Sequence, residues 1–206
     1  MANQGRDEID CSLGFGVNAQ RVVSLRVAEV YAMAPALDDP TDERGLHELR
    51  IAIKRLRYSL EFFDVCFDAD DVSRLIAELS EMQDLLGDIH DADVHIPELR
   101  QVLGEIAEEY ALSLREGMDP APSDPDEFHR AVAEAVTAAP HSPYEAGLIG
   151  LLIRSHEQRD RAYAASVALW TRLNDEGLRE RFAALVARPQ PGEIVLPPPL
   201  PRGELW

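Results

Sequence analysis

Between Leu46 and Tyr58 the chain reads L-H-E-L-R-I-A-I-K-R-L-R-Y, a basic stretch in an acidic protein. Residues 44 to 58 hold Arg44, Arg50, Lys54, Arg55 and Arg57 against one acid, Glu48. The whole chain has 38 acidic and 20 basic residues, a formal net charge of −18, and Lys54 is its single lysine. Read as a helix turning roughly 100° per residue, with His47 at zero, Lys54 falls near about −20°, Arg50 near about −60° and Arg57 near about −80°. These four side chains share one narrow arc. Arg55 falls near about 80°, on the side of Glu48, and is the cation least suited to join the row. Guanidinium groups offer paired donors to phosphate oxygens, lysine a compact charge, and imidazole a donor or a proton-dependent charge. The row therefore suits a polyanion, unless neighbouring carboxylates such as Glu48, Glu61 and Asp64 neutralise it.

Other clusters admit other chemistry. His90-Asp91-x-Asp93-x-His95 has spacings that could hold a divalent cation. His47 with His90-Asp91 imitates the ligand set of helical HD phosphohydrolases, which activate water on a metal. The plainer role for Asp91 and Asp93 is helix capping or pairing with a buried arginine. Arg159, near the middle of one face of a late helix, either pairs with Asp91 or Asp93 or faces the same groove as Arg50 and Lys54. Arg154, Arg161 and Arg172 form a separate row whose default is a solvated face. His129 and His141 stand near proline-marked breaks and are expected to be exposed. Cys11 and Cys66 lack metal-type spacing and read as reduced thiols. No phosphate-cradling glycine loop, nucleophile elbow or zinc-finger spacing occurs in the sequence.

The elements that position these residues are helices. Hydrophobic content of 46% supports a core, and no strand pattern competes. Residues 1–16 read as a flexible leader. A first helix is expected from Val17 to Ala34, ended by Pro35. A second, capped by Thr41 or Asp42, is expected to run to about Phe67, burying Leu46, Leu49, Ile53, Leu56, Leu60 and Phe67. Asp70 or Asp71 is expected to cap a third, with Leu75, Leu79, Met82 and Leu86 on one face and Gly87 as its stop. A fourth follows through about Leu114, with Pro97 in its first turn or at a kink. Residues 118–126, with three prolines, read as a linker. Glu127 to Ala138, Tyr144 to about Leu173, and Leu178 to Ala187 complete the helices of a domain spanning 17–188. The proline-rich tail 189–206 reads as extended or flexible. The expected fold is all-α, an antiparallel bundle of about six helices.

Two paired motifs now resemble a known family. His47-x-x-Arg50-x-x-x-Lys54-Arg55-x-Arg57-Tyr58 is followed by Leu85-Leu86-Gly87-Asp88-x-His90-Asp91-x-Asp93-Val94, together resembling the conserved histidine α-helical domain, CHAD. Glu61-Phe62-Phe63, Met82-Gln83-Asp84 and the late Gly147 and Trp170 stretches fit as well, so the likeness spans roughly residues 20 to 175. The resemblance implies a four-helix-bundle core and non-enzymatic binding of inorganic polyphosphate in a basic groove. His47, Arg50, Lys54 and Arg57 match its basic motif. Arg55, Tyr58 and His90 stand within its motifs, and Arg159 joins them if it faces the groove. One convincing copy of the basic motif is present, where the family usually has two bundles, so a homodimer that rebuilds the channel is a further expectation. His156-x-x-Arg159 echoes only the start of a second copy, and His90 stands where many relatives have arginine. Sulfate or orthophosphate is expected to occupy the row weakly, with no cofactor and no metal required. The acidity argues against nucleic acid, and no apolar run of membrane-spanning length occurs. No signal peptide is expected, so the expected location is the cytoplasm, with polyphosphate granules as a further address. Loss of the anion site, leaving a scaffold or interaction module, is the other alternative to the hydrolase.

Overall fold

The basic stretch lies on a helix because its apolar residues recur every three to four positions. In the computed structural model, which describes residues 9–10, 12–118, 121–138 and 144–188, this helix spans Glu43–Phe62 and is the second of six. The others are α1 (Phe15–Met33), α3 (Ala69–Gly117), α4 (Pro125–Ala138), α5 (Glu145–Asp175) and α6 (Leu178–Ala187), with 3-10 turns at Ala34–Asp38 and Asp64–Cys66. Among the described residues there is no strand, and the fold is all-α. No helix there is long and apolar enough to cross a membrane. Cys11, His141, Pro140, Pro143 and the tail 189–206 lie outside the described residues, as do most of the leader and residues 119–120 of the linker.

Asp42, not Thr41, caps α2: its Oδ1 accepts a hydrogen bond from the Gly45 amide at 2.9 Å. Glycine suits position 45, because a Cβ there would run into the capping Asp42 carboxylate and lie 2.9 Å from Ala36 Cβ. Leu46, Leu49, Ala52, Ile53, Leu56 and Leu60 form the buried face of α2. The helix ends at Phe62, five residues short of the expectation; Phe67 is buried as expected, but from an extended residue beyond the 3-10 turn.

Helix α3 corrects a larger expectation. It does not stop at Gly87 but continues to Gly117, absorbing the expected fourth helix with Pro97 in its interior. Its buried face, Val72, Leu75, Leu79, Met82 and Leu86, runs on through Ile89, Ala92 and Ile96 at the same spacing. That continuous burial outweighs the roughly 1 kcal/mol that an interior glycine costs. Its start is also set elsewhere: Asp68 Oδ1 accepts from the amides of Asp70 and Asp71 at 3.1 Å, so Asp68 is the cap. Asp124 does the same for α4, which therefore opens at Pro125, two residues earlier than expected. Gly177, at φ 72°, supplies the left-handed residue between α5 and α6.

The described chain divides into two compact units. The first comprises the residues through Leu86 and those from Ser166 onward: α1, α2, the start of α3, the end of α5, and α6. Its core includes Val23, Leu49, Ile53, Leu56, Leu60, Leu75, Met82, Leu173 and Leu178. Tyr31 of α1 stacks obliquely on Trp170 of α5 and donates to Asn174 at 2.9 Å. Arg181 of α6 pairs with Glu78 of α3 at 2.8 Å. The second unit, Gly87–Ala165, holds the rest of α3, α4 and the start of α5. There Ile89, Ala92, Ile96 and Ala162 are buried, and Tyr110 donates to the Val136 carbonyl at 3.2 Å.

Candidate functional site

The residues that could meet an anion are set by the register of α2. Its inward face points Leu49, Ile53, Leu56 and Leu60 into the first unit, which leaves His47, Arg50, Lys54 and Arg57 along the border of that face. All four are half-buried, whereas Arg55 and Tyr58 are exposed. A half-buried cation has lost part of its hydration and gains more from an anionic partner than a fully solvated one does.

The four differ in what already holds them. Arg57 is engaged: its Nη1 donates to Glu61 Oε1 at 2.6 Å and its Nε to Gln83 Oε1 of α3 at 3.1 Å. Arg50 and Lys54 make no ion pair among the described residues. The Arg50 Nε is shut off from solvent with no hydrogen-bond partner there. A buried guanidinium N–H without an acceptor is unfavourable, and an oxygen anion would supply one. Lys54 Nζ lies 5.7 Å from the centroid of the Tyr58 ring, and the Arg57 guanidinium 4.6 Å from it. Tyr58 therefore carries both cations over its π-system without neutralising either. His47 opens the row one turn before Arg50.

Arg55 sits apart, as its angle predicts. It lines a cavity of about 320 Å³ between α1 and α2 with Glu29 and Glu48. Arg44, outside the row, pairs with Glu48 at 2.9 Å, and this carboxylate raises the arginine's pKa from its ordinary value.

His90 and Arg159 belong to the second unit. His90 is half-buried on α3. Arg159 takes the first of its two expected placements: its Nε donates to Asp93 Oδ1 at 2.5 Å, both side chains being nearly buried. Its Nε is thus committed to an internal carboxylate, the pairing that was one of its two expected placements. The alternative ligand set is not assembled: among the described residues no three His, Cys, Asp or Glu side chains are placed to hold one metal ion. Arg161 and Arg172 pair with Glu157 and Glu81, and Arg154 is exposed, so that row is a solvated, mixed-charge face. His129 is exposed, its Nδ1 2.6 Å from the Pro125 carbonyl oxygen.

Glu61, named above among the carboxylates that could neutralise the row, does so for Arg57 from one turn further along the helix. One contact escaped the sequence reading. Gln83 comes from another helix, 26 residues away, and nothing local announces its contact.

Compared with known proteins, a family model described as CHAD domain matches residues 16–100. That span contains both paired motifs, the whole of α2 and the start of α3; the late stretch from Gly147 to Leu173 lies beyond it. No curated protein and no solved structure matches the chain.

Proposed function

From the match of a CHAD-domain model to residues 16–100, we propose that the chain is a member of the CHAD family and binds inorganic polyphosphate along α2, without catalysing a reaction on it. CHAD domains are associated with polyphosphate binding. The observation that carries the reading is local. In a chain with 38 acidic residues, Arg50 and Lys54 have no carboxylate partner among the described residues, and a buried Arg50 N–H has no acceptor. Internal neutralisation, the simplest alternative for a basic row, is absent at its centre.

The proposed contacts are His47, Arg50, Lys54 and Arg57, with Tyr58 as the surface on which two of the cations rest. Ten residues of helix rise about 15 Å, so the row meets several successive phosphates rather than one. Arg50 and Arg57 supply planar paired donors; Lys54 supplies a point charge between them. His90 and Arg159 stand outside this set. The net charge of −18 repels long polyanions from the rest of the surface, which confines binding to the row.

Each engaged cation displaces counterions, as it does on nucleic acids, so three or four contacts make log K fall with log salt by a slope of about 2 to 3. Chains of about 100 phosphates bind far more tightly than tripolyphosphate, because one chain reaches many sites. Sulfate or orthophosphate competes weakly. The test is titration with end-labelled polyphosphate at two salt concentrations, comparing the natural chain with Arg50→Glu plus Lys54→Glu. The double variant, its helicity intact by circular dichroism, abolishes binding and flattens the salt dependence. Absence of binding by the natural chain would instead support a scaffold that has lost the site, the reading that the overall acidity favours, and equal binding by both proteins would refute the assignment to this row.

A further inference from the structure

Within the first unit, Arg57 of α2 meets a neutral side chain from a second helix. Gln83 follows the buried Met82 on α3 and is itself half-buried, so it stands at the border of the core, as the basic row of α2 does. Its Oε1 accepts from Arg57 Nε at 3.1 Å. That contact decides which way the carboxamide is turned. A guanidinium only donates, so the oxygen must face Arg57 and the amide nitrogen takes the other limb of the same planar group. This nitrogen carries two N–H donors and has no hydrogen-bond partner among the described residues. Unlike the Arg50 Nε, it is not shut off from solvent. A pair of donors held beside a cation and open to solvent is placed to meet an oxyanion.

The two partners of Arg57 differ in kind. Glu61 takes the Nη1 with a full negative charge, which an arriving anion must displace. Gln83 takes the Nε with a neutral oxygen, which leaves the charge of the guanidinium intact. A glutamate at position 83 would hold the arginine as well but would add a second competing charge. We propose that Gln83 is a direct contact of the bound anion: its Nε2 donates to a phosphate oxygen beside the one that Arg57 engages. The site is then lined from two helices, with charge from α2 and a neutral donor from α3. This inference rests on the polyphosphate reading above. A neutral donor releases no counterion, so its share of the affinity does not follow salt, whereas the shares of Arg50 and Lys54 do.

The experiment titrates end-labelled polyphosphate, at several salt concentrations, with the natural full chain, Gln83→Met, and Arg50→Glu plus Lys54→Glu. Methionine keeps the length and helix propensity of glutamine but has no side-chain N–H. Gln83→Met is expected to weaken binding by roughly 3- to 10-fold, the share of one hydrogen bond, with the log–log salt slope unchanged. Weaker binding with a slope shallower by about 0.7 would show that Gln83 acts only by presenting Arg57, and overturns the direct contact. Unchanged binding overturns it too, as does tighter binding, which would make the carboxamide a competitor of the anion for Arg57. Far-UV circular dichroism confirms that the variants keep their helices, and Gln83→Leu carries the test if Gln83→Met does not fold. Failure of the underlying reading looks different. A natural chain that does not bind, or a double variant that binds equally well, refutes the assignment to α2 and this inference with it. A double variant that loses binding while Gln83→Met retains it in full refutes this inference alone.

Discussion

Glu61→Gln tests how α2 divides its cations between internal and external partners. Glu61 holds Arg57 at 2.6 Å across one helical turn, with the arginine side chain 19% and the glutamate 40% exposed. A pair of this kind on a helix surface contributes roughly 0.3–0.5 kcal/mol to stability, so its loss barely moves the unfolding midpoint. An anion at Arg57 must first displace Glu61, and it also meets the glutamate's charge. Partly exposed ion pairs are worth about 0.2–1 kcal/mol, which converts to a gain of roughly 1.5- to 5-fold in affinity when the competitor is neutral. The freed guanidinium adds one more counterion-releasing contact, steepening the salt dependence by about 0.7 in log–log slope. Fluorescence anisotropy with labelled polyphosphate, repeated at four salt concentrations, measures both quantities. An unchanged or weakened affinity, or a slope that does not steepen, would show that Arg57 never meets the anion. The direction is diagnostic, because removing an acid from a merely structural helix would tighten nothing.

Three further outcomes test the fold beneath the site. Asp93→Ala strands the nearly buried Arg159 and is expected to lower stability by about 3 kcal/mol in urea unfolding; a loss under about 1 kcal/mol would show the pair to be dispensable. Ile53→Ala empties a fully buried position directly beneath the basic row and should cost about 2–4 kcal/mol, read as a lower thermal midpoint, with polyphosphate affinity preserved in the folded protein. Burial, followed by the nearby Asp64 charge, raises the Cys66 thiol above its ordinary pKa. In a Cys11→Ser background Cys66 should therefore resist alkylation at pH 8 until denaturant is added, and rapid labelling of the native protein would contradict its buried placement.

Periodicity and charge determined much of this protein before any tertiary contact was considered. The all-α fold follows from apolar spacing, the α2 core face from Leu46 through Leu60, and the basic arc from the 100° turn per residue. The two motifs that align with the CHAD domain are likewise local patterns. What required tertiary structure was every choice among partners. Gly87 is a credible helix stop by its own propensity, but Ile89, Ala92 and Ile96 find burial beyond it, and packing outweighs the local cost. Asp91 and Asp93 are equal candidates for Arg159 in the sequence, and only the folded second unit selects Asp93. Among the cations of α2, sequence treats Arg50 and Arg57 alike; Gln83, arriving from another helix, and Glu61 commit Arg57 and leave Arg50 and Lys54 open. Helix register is a property of neighbours along the chain, whereas neutralisation of a charge depends on what the fold brings within about 4 Å of it.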